Sequence, residues 1–190
     1  MPSYTDIKKG MIILLRGEPY EVLETSFVRM QQRKAVVKSK LKSLGSGKVI
    51  DQSWQASDEV EEADVAKREA VFLYTHRGEF WFHGKDDPTN RFALTEEIIG
   101  ESAKFLKPQT TVTMVFLNDA PIKTLLPIKM DLTVVESPPA IRGNTAQGGT
   151  KQVALEGGAR INVPLFVEEG DVVRVNTETG EYVERAGKTK

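Results

Sequence analysis

The stretch KAVVKSKLKSLGSGKVIDQSW, Lys34 to Trp54, decides the fold class. Its first part, KAVVKSKLKSL, reads with period two, the spacing that sends successive side chains to opposite faces of a strand. Gly45-Ser46-Gly47 then punctuates the chain, and KVIDQSW resumes an extended pattern, so the whole reads as strand, turn, strand. Working outward, the same grammar recurs. MIILL (Met11 to Leu15), Arg16-Gly17-Glu18 and PYEVLET form an earlier pair, and AVFLYT and EFWFHG flank His76-Arg77-Gly78 in a later one rich in aromatics. Further on, TVTMVFLN, PIKTLL, DLTVVES, KQVALE, ARINVPLFV, DVVRVN and EYVERA are short extended runs with Gly157-Gly158, Glu169-Gly170 and Thr179-Gly180 among their turns. The expectation is an all-β chain. One helix is predicted, over Thr95 to Leu106 (TEEIIGESAKFL), with Thr95 as N-cap, two acids in the first turn and Pro108 just beyond the end.

Strand spacing divides the chain into three β units, at residues 1–64, 65–127 and 128–190. Each is small enough that its core is modest, so the units are expected to lean on one another. Composition sets further bounds. Of 190 residues, 39% are hydrophobic and 28% charged, the balance of an ordinary globular chain. The absence of cysteine excludes disulfides, thiolate nucleophiles and thiolate metal sites. The start, MPSYTDIKKG, lacks the basic, apolar and small-residue order of a secretory signal, and no apolar run reaches the length of a membrane span; the expected location is the cytoplasm, away from membranes.

Net charge is −1, but its distribution is uneven. Arg29, Arg33, Lys34, Lys38, Lys40, Lys42 and Lys48 fall in a run, Val28 to Ile50, without any Asp or Glu, and SDEVEEAD (Ser57 to Asp64) follows directly. A basic block beside an acidic one describes a chain with two differently charged surfaces, one of them suited to a polyanion. At the centre of the basic block lies SFVRMQQRKAVVKSK (Ser26 to Lys40), where long polar side chains separate two strands. The readings are a solvated hairpin tip or a contact surface.

Catalytic constellations are not evident. His76 and His83 have no local ligand set, Asp86-Asp87 before Pro88 is turn chemistry, and GNTAQGG lacks the Gly-Lys-Ser/Thr ending of a nucleotide-binding loop. The expectation is no enzyme, with no catalytic residue, no metal and no cofactor.

Several segments carry a resemblance. KQVALEGGARINVPLFVEEG (Lys151 to Gly170), GEPYEVLETSFV, GEFWF, GNTAQGGTKQ and GEYVERA are together similar to the bacterial elongation factor P family, and they span essentially the whole chain. The resemblance implies an SH3-like N-terminal barrel followed by two OB-fold barrels, in an L-shaped body of tRNA-like dimensions. It implies a monomeric translation factor that binds the 70S ribosome between the peptidyl-tRNA and exit sites and stimulates peptide-bond formation at consecutive prolines. Its implied partners are the ribosome, peptidyl-tRNA and the exit-site mRNA codon.

The resemblance turns the tip loop, Arg29, Met30, Gln31, Gln32, Arg33 and Lys34, into an RNA-contacting element. It also exposes a departure. Where the family reads Pro-Gly-Lys-Gly or Pro-Gly-Arg-Gly, Met30 and Gln31 replace Pro-Gly and Gln32 fills the slot that is often modified. Glutamine has neither an amine nor a guanidinium, so the tip is expected to act through unmodified side chains unless Arg33 takes the slot. In the third unit the resemblance points the loop Gly143 to Lys151 at the exit-site codon and brings Tyr182 and Arg185 near tRNA or the small subunit. Residue chemistry agrees in kind. Gly143, Gly148 and Gly149 allow close backbone approach, Arg142 and Lys151 add charge, and Asn144 and Thr145 add polar groups. The rival reading is a general single-stranded RNA-binding or RNA-chaperone module, which calls for exposed stacking aromatics, with Phe80, Trp81 and Phe82 as candidates.

Overall fold

The computed structural model describes residues 3–28, 35–139 and 149–188. Among them the chain is all-β, as the alternation predicts. Fifteen strands form three five-stranded sheets. The first contains β1 (Ile12–Leu15), β2 (Glu18–Val28), β3 (Val36–Ser43), β4 (Val49–Trp54) and β5 (Glu61–Glu62), in the order β4-β3-β2-β1-β5. The second contains β6 (Val65–His76), β7 (Glu79–Gly84), β8 (Arg91–Leu94), β9 (Thr111–Leu117) and β10 (Ala120–Leu125), in the order β10-β9-β6-β7-β8. The third contains β11 (Lys129–Glu136), β12 (Thr150–Leu155), β13 (Arg160–Pro164), β14 (Asp171–Asn176) and β15 (Glu181–Lys188), in the order β13-β12-β11-β14-β15.

Local chemistry explains the hairpins. Arg16-Gly17 and Arg77-Gly78 both take positive φ at the two central positions, the type I′ geometry whose twist matches that of the flanking strands. In β3 the period-two reading is realised side by side: Val37, Ser39, Leu41 and Ser43 are buried while Lys38 and Lys40 are exposed. Val37 and Leu41 join Ile7, Ile13, Val22, Trp54 and Val60 in the core of the first sheet.

The chain forms two compact units, residues 1–67 with 115–123, and residues 68–114 with 124–190. In the first, the 115–123 segment is tied to β2 by an ion pair of 2.5 Å between Lys123 Nζ and Glu21 Oε1. In the second, the third sheet wraps a core of Leu132, Val134, Val153, Leu155, Val163, Val173 and Val175, and its edge strands β13 and β15 approach each other so that the sheet curls upon itself.

The predicted helix over Thr95 to Leu106 is corrected by the structure. Only Glu96–Ile99 is α-helical (α1), Thr95 makes no side-chain capping bond, and Gly100–Phe105 continues as a 3₁₀ turn. The break is at Gly100, whose φ of 66° and ψ of −153° lie in a region only glycine occupies freely. Past it, Phe105 does not stay on a helical stripe with Ile98 and Ile99. It enters the core of the third sheet, 2% exposed. The same segment is fastened further by Lys104 O, which accepts from Ala159 N at 3.2 Å, and by Lys107, whose Nζ donates to Asp131 O.

Candidate nucleic-acid interface

The basic hairpin is built on a long ladder. β2 and β3 pair from Tyr20 with Ser43 to Val28 with Val36, with a bulge between Val22 and Glu24, and β4 backs β3 from Lys42 with Val49 to Val37 with Trp54. Val37 is thereby bonded into the sheet on both sides, one residue before the ladder's last pair. The base of the hairpin is therefore three strands wide. Val37 and Trp54 are each 4% exposed, while Phe27, in the same row, is 57% exposed. The tip residues Arg29, Met30, Gln31, Gln32, Arg33 and Lys34, which join these strand ends, lie outside the described residues.

Sequence reasoning singled out the tip and passed over the sheet face below it. Ser26, Lys38 and Ser53 stand in one cross-strand row. The signal was the alternation of Lys38, Lys40 and Lys42 on β3, which needs the partner strands before it becomes a surface.

In the third sheet, Arg142, Gly143, Asn144, Thr145 and Gly148 also lie outside the described residues. Gly149 precedes β12, half-buried. Lys151, on β12 opposite Val163, donates from Nζ to Pro138 O at 3.2 Å, linking the chain on either side of residues 140–148. Tyr182 on β15 is half-buried against the core of this sheet. Arg185 has a structural partner: its Nη1 donates to Asp171 Oδ2 at 3.4 Å, and Asp171 is fully buried. Its guanidinium also lies 5.8 Å from the centroid of Phe166. An arginine so engaged holds its strand to the preceding turn whatever else it touches.

The outer face of this sheet carries a charge ladder. Arg174 donates from Nε to Asp131 Oδ1 at 2.7 Å, from Nη2 to Asp131 Oδ2 at 3.0 Å and from Nη1 to Glu184 Oε1 at 2.6 Å, across three adjacent strands in register. The hydrogen bonds from Arg174 hold the Asp131 carboxyl below the usual carboxylate range; desolvation opposes this, and the charges of Arg174 and Lys107 add to it.

The aromatic candidates divide between faces. Phe82 is fully buried against Phe72, with ring centroids 5.3 Å apart, whereas Trp81 turns the other way and stacks with Tyr74 at 6.2 Å and 20°. Phe80 and Trp81 are half-buried, and Tyr74 is the most exposed of the group. His83 Nδ1 lies 2.7 Å from Gly84 O, so the tautomer protonated there donates to the backbone. Among the described residues no group of three or more His, Asp or Glu side chains could hold a metal ion, and no helix is long and apolar enough to cross a membrane.

Comparison with known proteins accounts for this architecture. Residues 3–60 match the family model of the elongation factor P (EF-P) KOW-like domain, and residues 130–185 match that of the elongation factor P C-terminal domain. The chain is 41% identical over 186 residues to elongation factor P of Pseudothermotoga lettingae, covering 98% of this chain and 100% of that one. It is 40% identical over 181 residues to elongation factor P of Thermotoga maritima, with 95% and 97% covered. It is 42% identical over 186 residues to elongation factor P of Dictyoglomus turgidum, with 98% and 100% covered. Among solved structures, the eukaryotic translation initiation factor 5A from Methanococcus jannaschii superposes with a TM-score of 0.50 at 15% identity, covering 66% of this chain and 92% of that chain, a likeness of fold. Near full-length identity of this order, with matches at both ends of the chain, makes it a member of the elongation factor P family, a translation factor of β-barrel domains.

Proposed function

We propose that this protein binds the 70S ribosome between the peptidyl-tRNA and exit sites and stimulates peptide-bond formation at consecutive prolines. The observation that carries the reading is the three-stranded base of the β2–β3 hairpin, where Val37, three residues after the cationic segment 29–34, is paired on both sides. Proline is a poor nucleophile on a stiff ring, so the barrier can be lowered by making the acceptor end of peptidyl-tRNA spend more time in attack geometry. A firm base makes such positioning effective, because a contact on a loose arm spends its binding energy on ordering the arm. Arg29, Arg33 and Lys34 supply cations for phosphates, and Gln31 and Gln32 both donate and accept toward 2′-hydroxyls and bases. In this reading the loop Gly143 to Lys151 meets the exit-site codon with Arg142 adding charge beside it, and Tyr182 and Arg185 stand near tRNA or the small subunit. The protein works as an unmodified monomer in the cytoplasm.

The test is reconstituted translation of a message encoding consecutive prolines, with the factor limiting and then saturating. Arg33→Ala and Gln32→Ala should slow proline peptide-bond formation roughly ten- to a hundredfold, the effect of losing a hydrogen bond to a charged group worth about 1.5–3 kcal/mol. Wild-type rates from both variants at both factor concentrations would remove the tip from the mechanism. Equal stimulation on messages without proline runs would remove the proline specificity.

A further inference from the structure

Cross-strand register sorts the outer face of β2, β3 and β4 into rows, spaced about 6.8 Å apart along the strands. Nearest the tip stand Ser26, Lys38 and Ser53; next come Glu24, Lys40 and Asp51; then Glu21, Lys42 and Val49. The first row holds one cation and two hydroxyls. Lys38 is exposed, and among the described residues it has no hydrogen-bond or ion-pair partner. In the second row the Lys40 ammonium lies 3.9 Å from Glu24 Oε2 while Asp51 stands directly across the strand, so two carboxylates face one ammonium. In the third, Glu21 is already taken by Lys123. The first two rows line one trough of about 480 Å³.

We propose that this face sets where the RNA-contacting surface of the hairpin ends. Lys38, with the Ser26 and Ser53 hydroxyls, takes a phosphate of the RNA backbone. Glu24 and Asp51 close the surface off by repelling the next phosphate and by occupying Lys40. The occupant is a polyanion on grounds of charge: the free cation lies on the side of the 29–34 segment, and the net negative row lies on the side away from it. A carboxylate pair below a lysine makes contact register-specific, because a strand displaced by one row meets repulsion in place of attraction. The inference rests on the proposed function for the identity of the RNA, and the charge grading itself stands on the sheet.

The experiment measures affinity for purified ribosomes stalled at consecutive prolines, between about 50 and 200 mM salt, the range over which phosphate contacts are lost. The same variants are titrated against a labelled oligouridine, and circular dichroism confirms that each is folded. Lys38→Ala should lower affinity about threefold and flatten the log–log salt slope by about 0.7, the share of one phosphate contact on a single strand. Lys38→Arg should restore both. Glu24→Gln with Asp51→Asn should raise affinity and steepen the slope by a similar amount, because Lys40 is released to the RNA. If stalled ribosomes bind the wild type but Lys38→Ala keeps the full slope, or the doubly neutralised variant binds no more tightly, the inference is overturned and the proposed function survives. If the wild type does not bind stalled ribosomes, the proposed function fails and oligouridine decides: the same ordering of variants sustains the charge grading, and equal binding overturns it.

Discussion

Gly157 is the position where one methyl group tests how the second compact unit is held together. It sits in the turn between β12 and β13 against the 3₁₀ segment, and a Cβ added there would stand 2.4 Å from Lys104 O and 3.1 Å from Leu106 O. Both are backbone atoms, so no side-chain rotation relieves the clash, and the two segments must part by roughly 1 Å to restore van der Waals contact. That movement acts on Lys104 O, which accepts from Ala159 N at 3.2 Å, and on the adjacent Phe105 ring inside the core. Overpacking of this kind costs about 1–3 kcal/mol, and losing the hydrogen bond adds about 1 kcal/mol. Gly157→Ala should therefore destabilise the unit by about 2–4 kcal/mol, a fall of roughly 8–15 °C in Tm for a domain of this size. Differential scanning calorimetry measures it, with Gly45→Ala as control because a Cβ at Gly45 meets nothing within 4 Å. A Gly157→Ala protein that melts within about 2 °C of the wild type would refute the view that this close approach fastens the turn to the 3₁₀ segment.

Three further outcomes are expected. The Asp131 carboxyl is depressed in the folded state by Arg174, so its contribution is present above the unfolded value of about 4 and is lost as pH falls through the lower folded value. Because the side chain is 42% exposed, Asp131→Asn should cost less than about 1 kcal/mol at pH 7, and the mutant's deficit should shrink progressively as pH is lowered below about 4 in urea titrations; an undiminished deficit at low pH contradicts the pairing. Arg185→Ala should lower stability by about 1–3 kcal/mol by depriving the buried Asp171 of its nearest cation, and Arg185→Lys should recover part of the loss; an Arg185→Ala protein as stable as wild type returns Arg185 to a role in contact with RNA alone. Intact-mass measurement on protein from its own host should match the encoded chain apart from N-terminal processing, since Gln32 lacks a modifiable amine; an added mass mapping to Arg33 or Lys34 would shift the tip register by one.

Features that depend on neighbours along the chain were legible in the residues alone. Alternation assigned Val37, Ser39 and Leu41 to one face of β3 and Lys38 and Lys40 to the other, and turn residues such as Arg16-Gly17 located the hairpins, because side-chain direction in a strand and the dihedrals of a tight turn are local properties. Family membership was legible for a related reason: its signature segments are contiguous. Tertiary structure decided whatever depends on residues distant in sequence. The apolar spacing of Ile98, Ile99, Phe105 and Leu106 is compatible with a helix, but burying Phe105 among Leu132, Val153 and Val173 outweighs a few helical hydrogen bonds, and the chain breaks at the glycine that permits it. The ion pair of Arg185 was not legible because Asp171 lies fourteen residues earlier on the paired strand. The grading of charge from Lys38 to the Glu24 and Asp51 carboxylates arises only when register sets three strands side by side, since electrostatic neighbours are chosen by distance in space and a linear sequence does not carry that distance.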